Sequence, residues 1–216
     1  AKGSRGVYLI DRPGAAQSVV VAGFAAPPRD AAGEHAVEVM NALLGGAFTS
    51  RINLNLREEK HWSYGARTTL RDMAGLRALV CVAPVQGDKT AETLAELARE
   101  FREVVGGRPP TAEEVEKTVT DRTLRLAGQW ETMGAVAGVL EQMVRHGVPE
   151  AYYRGYAAAL RALTAGDVAR AAARVMRPEE VVWLVVGDRA KVEGPIRALG
   201  WGEVTVLDAE GEPVVE

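Results

Sequence analysis

The sequence has few of the residues that carry metal and redox chemistry. Its 216 residues include one cysteine, Cys81, and three histidines, His35, His61 and His146. A single cysteine excludes an internal disulfide and a thiolate-rich metal site. Cys81 lies in an apolar run, so we interpret it as a buried small hydrophobic residue. Three scattered histidines leave few places for a metal centre.

Long apolar runs and an excess of positive charge are also missing. The longest apolar runs, Val19 to Ala26 and Val181 to Val186, fall far short of the roughly 20 residues that span a bilayer. With 26 basic and 29 acidic side chains, the formal net charge is −3, which argues against a nucleic-acid-binding protein. The composition, 47% hydrophobic and 25% charged, is typical of a soluble globular protein. The compartment stays open, cytoplasmic or periplasmic.

Hydrophobic spacing predicts strands towards both ends of the chain and helices between them. Strands are predicted from Val7 to Ile10, Gln17 to Ala25, Ser63 to Arg71, Leu76 to Val85, Val181 to Val186 and Glu203 to Leu207. Helices are predicted after Asp30, from Thr49 or Ser50 to about Lys60, after Thr90 and Thr111, and over Glu131 to Arg145, Pro149 to Leu163, Thr164 to Met176 and Arg189 to Leu199. Because strands do not alternate one-for-one with helices, we expect an α+β fold. No linker longer than a turn interrupts the pattern, so residues 1–216 are expected to form a single domain.

Turn and cap signals predict several boundaries. Asp30 is expected to cap the first helix with its side-chain oxygen, and Gly45-Gly46 to end that helix in the left-handed conformation. Met73-Ala74-Gly75 suits a hairpin, so the strands on either side are expected to be antiparallel neighbours. Thr111 and Glu114 have the spacing of a capping box.

Arg57 and Tyr64 are the candidate binding residues. Arg57 lies near the end of the second predicted helix and Tyr64 at the start of the next predicted strand, so both side chains can point past the same end of the sheet. A guanidinium offers two donors to a carbonyl, and a phenol adds an uncharged one. From residue type alone, a solvated arginine and a packed tyrosine are the more common outcome, and that alternative stays open.

The segment from Leu43 to Gly65 resembles a known signature. A helix ends in Leu44-Gly45-Gly46, a Phe48-Thr49-Ser50-Arg51 start follows, and Leu56-Arg57-Glu58 and Ser63-Tyr64-Gly65 complete the pattern. This is similar to the second domain of the pitrilysin/insulinase zinc peptidases, the family that includes mitochondrial processing peptidase. Val7 to Ser18 and Val185 to Asp188 resemble the first and last strands of that domain, so the resemblance extends over nearly the whole chain.

The resemblance implies a fold and a division of labour. It implies an α+β domain with about six mainly antiparallel strands and helices on one face. In this family the first domain binds zinc through His-x-x-Glu-His, whereas the second does not. The nearest match here, His35-Ala36-Val37-Glu38-Val39, has valine at the second histidine. We therefore expect no metal in this chain, zinc in a partner domain or subunit, and His35 and Glu38 as an exposed helix pair.

The resemblance also gives Arg57 and Tyr64 a role. It implies that they hold carbonyl oxygens of an extended peptide beside the partner's zinc, with Gly45, Gly46, Ser50, Arg51 and Gly65 as structural parts of the motif. The chain alone is then expected to be inactive and to work with its zinc-bearing partner in a homo- or hetero-oligomer. His61 and Trp62 depart from the glycine and aliphatic residue common before this tyrosine, which could narrow the pocket or alter its selectivity.

Two other functions remain open. The chain could be an inactive structural or assembly subunit of the same family, or a stand-alone module that adds a peptide strand to its sheet edge. Four aromatic residues on helical stretches are interpreted as packing: Trp130, Tyr152, Tyr153 and Tyr156. The adjacent carboxylates Glu58 and Glu59 are interpreted as solvated.

Overall fold

A six-stranded sheet forms the centre of the protein. The computed structural model describes residues 6–29, 33–73 and 76–214. The strands are β1 Gly6–Asp11, β2 Gln17–Ala26, β3 Arg67–Met73, β4 Leu76–Gln86, β5 Val182–Gly187 and β6 Glu203–Leu207. They lie in the order β3-β4-β2-β5-β1-β6, which confirms the α+β fold class.

The sheet is mixed and mostly antiparallel. Strand β2 pairs antiparallel with β4 and β5, and β3 pairs antiparallel with β4. Strand β1 runs parallel to both of its neighbours, β5 and β6. The predicted hairpin between β3 and β4 is therefore confirmed as a strand pair, while its turn residues Ala74 and Gly75 lie outside the described residues.

Eight helices accompany the sheet in the described part of the chain. They are α1 Glu34–Asn41, α2 Arg51–Asn53, α3 Thr90–Val105, α4 Ala112–Arg125, α5 Met133–His146, α6 Glu150–Arg161, α7 Ala165–Val175 and α8 Arg189–Ala198. None of the described helices is long and apolar enough to cross a membrane. In β2 every second residue from Ser18 to Phe24 is buried, whereas the residues between them are partly exposed. Side chains alternate across a strand, so the helices cover one face of the sheet.

Aromatic packing joins the longest helix to the covered face. Phe101 of α3 is fully buried and meets Phe24 of β2 edge-on, with ring centres 4.9 Å apart. On its other side Phe101 lies 5.9 Å from Trp183 of β5. Burying a phenylalanine side chain contributes about 1.5–3 kcal/mol, so this contact fixes α3 across the middle strands.

Capping boxes form at the starts of α4 and α7. Thr111 accepts a hydrogen bond from the Glu114 amide at 3.2 Å and donates its own amide to the Glu114 carboxylate at 2.9 Å, which confirms the predicted capping box. Thr164 and Asp167 form a second one at the start of α7. The predicted cap at Asp30 lies outside the described residues.

The Gly45-Gly46 pair does not end α1 in the way predicted. The helix continues into a π-helical turn, Ala42–Gly46, and neither glycine has a positive φ. Gly45 is required by close approach instead, because a Cβ there would lie 2.6 Å from the Thr68 side chain and 2.9 Å from the Thr68 amide nitrogen. Gly45 thus allows this turn to lie directly against β3.

Candidate functional site

The second helix presents Arg57 from a widened turn. After α2 the chain continues as a π-helical segment, Leu54–Glu59, which contains Arg57. Ile52 and Leu56 are almost fully buried and hold this segment to the core. Short π-helical stretches are rare and occur often at functional sites.

Arg51 anchors the beginning of the same helix. Its side chain is buried and donates two hydrogen bonds to the Glu114 carboxylate, at 2.7 and 2.6 Å. It also donates to the backbone carbonyls of Arg108 and Pro109, at 2.5 and 3.1 Å. All of these acceptors lie in α4 or in the segment just before it, so Arg51 positions α2 against the start of α4.

Asn53 joins the two loops that surround the helix. Its side chain, almost fully buried, donates to the Phe48 carbonyl at 2.6 Å and accepts from the Ala66 amide at 3.0 Å. Phe48 precedes the helix and Ala66 follows it, so one amide side chain fixes both loop ends. Residue spacing alone gave no signal for this role, because the contacts depend on how the two loops meet.

Tyr64 lies in a loop and not in a strand. Strand β3 begins only at Arg67, so the prediction that Tyr64 starts the strand is wrong. The loop is held against the end of β4: Ser63 donates to the Pro84 carbonyl at 2.6 Å, and the Gln86 amide donates to the Trp62 carbonyl at 3.0 Å. The backbone of this loop is hydrogen-bonded to the end of β4, so Tyr64 does not take part in the pairing of β3 with β4. The Tyr64 side chain is left 92% exposed.

Arg57 and Tyr64 line the same cavity. It has a volume of about 320 Å³, and its walls also include His61, Trp62, Gln17 and Gln86. The cavity opens at the sheet end where β2 begins and β4 ends. The structure therefore brings the two candidate residues together on one surface.

The Arg57 guanidinium is held but not saturated. It lies over the ring of Phe48, 4.2 Å from the ring centre, and its Nε is 3.5 Å from a carboxylate oxygen of Glu58. Its Nη1 is buried and has no hydrogen-bond partner among the described residues. A buried donor without a partner costs about 1–3 kcal/mol, while the Arg57 side chain as a whole keeps about a third of its surface exposed. The Glu58 side chain itself is mostly exposed, in line with a solvated carboxylate.

His35 and Glu38 do not form the exposed pair expected from the sequence. The His35 ring stacks on Tyr152, with ring centres 4.7 Å apart. The Glu38 carboxylate accepts hydrogen bonds from Tyr156 at 2.6 Å and from Arg122 at 2.7 Å. Burial lowers the pKa of His35 despite the nearby carboxylates. The correction has a tertiary cause, because α4 and α6 supply the partners.

This arrangement does not fit a zinc ion. Val39, at the position of the second histidine, is fully buried, and Glu38 is already bonded to a cation and a phenol. Among the described residues, no group of three or more His, Cys, Asp or Glu side chains is placed to hold a metal ion. No step of a reaction is therefore assigned to a metal bound here.

The other candidate residues, namely Cys81, His146 and the aromatic residues on helices, lie outside this cavity and contact other parts of the fold. Cys81 is buried, and burial raises the pKa of its thiol to about 12. His146 ends α5 and lies 3.9 Å from Asp72. The aromatic residues pack as predicted: Tyr152 contacts Tyr153 and Tyr156, and Trp130 meets Tyr153 edge-on at 5.8 Å. The hydrogen bonds that Tyr152 and Tyr156 donate to Glu38 were not expected from their spacing.

Solved structures show the same fold. The peptidase M16 inactive domain from Pseudomonas fluorescens matches with a TM-score of 0.75 and 21% identity over 85% of this chain and 43% of that one. A protease from Helicobacter pylori matches with a TM-score of 0.75 and 16% identity over 87% of this chain and 45% of that one. This chain thus spans less than half the length of either protein.

A shorter structure matches over most of its own length. The inactive peptidase domain of a candidate zinc protease from Bordetella parapertussis has a TM-score of 0.65 and 16% identity over 80% of this chain and 93% of that one. No curated protein sequence matches. Residues 1–121 match the family described as the peptidase M16 inactive domain, which covers more than half of the chain. The chain therefore belongs to the peptidase M16 family, as an inactive domain, and its resemblance to the pitrilysin/insulinase peptidases is confirmed.

Proposed function

We propose that this domain holds an extended peptide for a zinc-bearing domain or subunit of the same family, which cleaves it. Arg57 and Tyr64 bind backbone carbonyl oxygens beside the scissile bond. On this proposal residues 1–216 are one domain, the non-zinc half of an endopeptidase, and the chain alone is inactive.

The observation that carries the proposal is the shared cavity of these two side chains. Tyr64 is 92% exposed, although a tyrosine that serves only the fold normally buries its ring. Arg57 lines the same cavity and keeps about a third of its side chain exposed. Together they bring a guanidinium and a phenol to one opening, and both groups can donate to carbonyl oxygens, which accept hydrogen bonds and carry no charge.

The pair would act by positioning and by electrostatics. A peptide gripped by its carbonyls lies extended, which brings its scissile bond to a fixed place relative to the partner's zinc. A donor that also faces the oxygen on which negative charge develops stabilises the transition state more than the ground state. Contacts to the backbone make the choice of substrate depend on an extended conformation more than on one side chain.

The proposal is tested in the enzyme assembled from this chain and its zinc-bearing partner. Arg57→Ala and Tyr64→Phe are compared with wild type in kcat/KM on a fluorogenic extended peptide. A hydrogen bond to a charged group is worth about 1.5–3 kcal/mol and a neutral one about 0.5–1.5 kcal/mol. We therefore expect losses of roughly 10- to 100-fold for Arg57→Ala and about 2- to 10-fold for Tyr64→Phe.

Two controls separate binding from folding. Arg154→Ala removes an exposed arginine that pairs with Glu150 on α6, and Tyr153→Phe removes a hydroxyl from the same helix; both are expected to leave turnover unchanged. Zinc content and melting temperature should match wild type in all four variants. Normal turnover in both site variants would refute the proposal and favour a structural or assembly subunit.

A further inference from the structure

His61 has an unusual backbone conformation at the edge of the cavity. It is the only non-glycine residue in the described part of the chain with a positive φ, 57°. In this left-handed region Cβ crowds the backbone, so residues other than glycine adopt it at a cost, which is smaller for asparagine, aspartate and histidine than for β-branched residues. Such strain persists where the surroundings impose it and often marks a functional position.

The neighbouring backbone, and not the imidazole, imposes this conformation. The Lys60 amide donates to the Asn55 carbonyl at 3.0 Å, and the Trp62 amide donates to the Leu56 carbonyl at 2.9 Å. The His61 carbonyl accepts from the Gln86 side chain at 3.1 Å. All of these bonds use backbone atoms of residues 60–62, so a glycine at position 61 would keep every one of them.

The imidazole itself contributes nothing visible to the fold. It is exposed, and within the described residues its ring nitrogens have no hydrogen bond or ion pair. It lines the same cavity as Arg57 and Tyr64. A side chain that strains the backbone, lacks a partner and faces the candidate site is in the right place to contact a ligand.

We infer that His61 is a third substrate-contacting residue, beside the clamp formed by Arg57 and Tyr64. It gives this clamp a preference for a peptide with an acidic side chain next to the carbonyl groups that the clamp binds. The inference rests on the proposed function. An imidazole donates at least one hydrogen bond in either protonation state. Two cations precede it in the chain, Arg57 and Lys60. The Lys60 ammonium lies 5.6 Å from the ring centre of Trp62, another wall of the cavity, and 3.9 Å from the Glu96 carboxylate. Glu58, 3.5 Å from Arg57, is the one carboxylate among the described lining residues.

The experiment uses the assembled enzyme and peptides that differ at one position. Glutamate, glutamine or leucine is placed at each site next to the scissile bond, and kcat/KM is measured for wild type, His61→Gly and His61→Asn. Wild type is expected to prefer the glutamate peptide at one of these sites. In both variants the preference for glutamate over glutamine should fall by about 3- to 10-fold, which is the difference between a hydrogen bond to a charged acceptor and one to a neutral acceptor.

Stability decides whether the side chain serves the substrate or the fold. Glycine and asparagine both tolerate positive φ, so both variants should melt at or above the wild-type temperature. A melting temperature lowered by several degrees in His61→Gly would overturn the inference, because the side chain would then support the fold. An unchanged glutamate preference in His61→Gly would overturn it as well.

Failure of this inference is distinguishable from failure of the proposed function. The same peptides are tested with Arg57→Ala and Tyr64→Phe. If these two variants lose turnover while His61→Gly keeps the wild-type preference, the clamp stands and the role of His61 falls. If all three behave like wild type, both proposals fall.

Discussion

The Arg57 guanidinium rests on the face of Phe48, 4.2 Å from the centre of its ring. Phe48 comes from the loop before α2, Arg57 from the π-helical turn after it, and Asn53 ties that loop down through the Phe48 carbonyl. A cation over an aromatic ring gains about 0.5–2 kcal/mol. The Phe48 ring is 64% exposed, so it buries little apolar surface. Its contact with the Arg57 guanidinium is therefore the main interaction that the ring makes.

Replacing Phe48 should therefore weaken the clamp without weakening the fold. In the assembled enzyme Phe48→Leu is expected to lower kcat/KM about 2- to 5-fold, since a cation–π contact worth about 0.5–1 kcal/mol at an exposed ring is lost. The melting temperature should stay within a degree or two of wild type, because little apolar surface is buried. Leu124→Ala, at another exposed apolar residue, is the control. Full activity in Phe48→Leu would show that Arg57 needs no such support.

Gly45 should tolerate no side chain. In Gly45→Ala the new Cβ would lie 2.6 Å from the Thr68 side chain and 2.9 Å from its amide nitrogen. The turn would have to move away from β3, which is expected to lower the free energy of unfolding by about 1–3 kcal/mol. Gly134→Ala is the matched control, because a Cβ there meets nothing within 4 Å and alanine is the better helix former by about 1 kcal/mol. Chemical denaturation measures both. A neutral Gly45→Ala would mean that this turn is looser than the contact implies.

The ion pair between Glu34 and Arg77 should be essential for stability. Both side chains are nearly inaccessible, with bonds of 2.9 and 2.5 Å between them. Removing one partner of a buried pair costs about 3–5 kcal/mol when the other charge is left without compensation; here the Asp72 carboxylate, 2.8 Å from the Arg77 Nε, still offsets part of that charge, so a loss of about 3 kcal/mol is expected. Glu34→Gln is thus expected to lower the free energy of unfolding by about that amount. The double replacement Glu34→Leu with Arg77→Met should recover part of it, and equal stability of wild type and Glu34→Gln would contradict the prediction.

Glu114 should make the fold sensitive to acid. Partial burial raises the pKa of its carboxyl, but the hydrogen bonds from Arg51 and Thr111 outweigh this and lower the pKa from 4.5 to about 2. Because the folded-state pKa lies below the unfolded one, the carboxylate stabilises the fold above about pH 4.5, and this stabilisation is lost as the pH falls towards 2. Glu114→Gln should be less stable than wild type at pH 7, with the difference shrinking over that interval. A constant difference from pH 7 to pH 3 would show that Glu114 does not titrate in this way.

The parts of the fold that could be predicted from the sequence depend on local signals. The Thr111–Glu114 capping box lies within one helical turn, and the antiparallel strands β3 and β4 follow one another in the chain, so spacing is sufficient. The parallel pairing of β1 with β5 connects segments more than 170 residues apart, and no local pattern encodes it. The resemblance supplied the architecture that spacing alone left open.

The errors at the site have tertiary causes. Tyr64 has the residue type of a strand but is kept out of one by the contact of its loop with the end of β4. The Gly45-Gly46 pair predicts a left-handed φ, whereas the constraint on Gly45 comes from the close approach of Thr68. His35 and Glu38 face solvent on an isolated helix, and α4 and α6 cover them in the fold.

The central claim is that a peptide lies against Tyr64 while the zinc resides in the partner. The most direct measurement is photocrosslinking in the assembled enzyme, with benzoylphenylalanine in place of Tyr64 and the zinc removed by chelation to prevent cleavage. The account predicts that an extended peptide becomes covalently attached at position 64 and that the same probe at Tyr153 captures almost none. Equal capture at the two positions, or none at position 64, would contradict it.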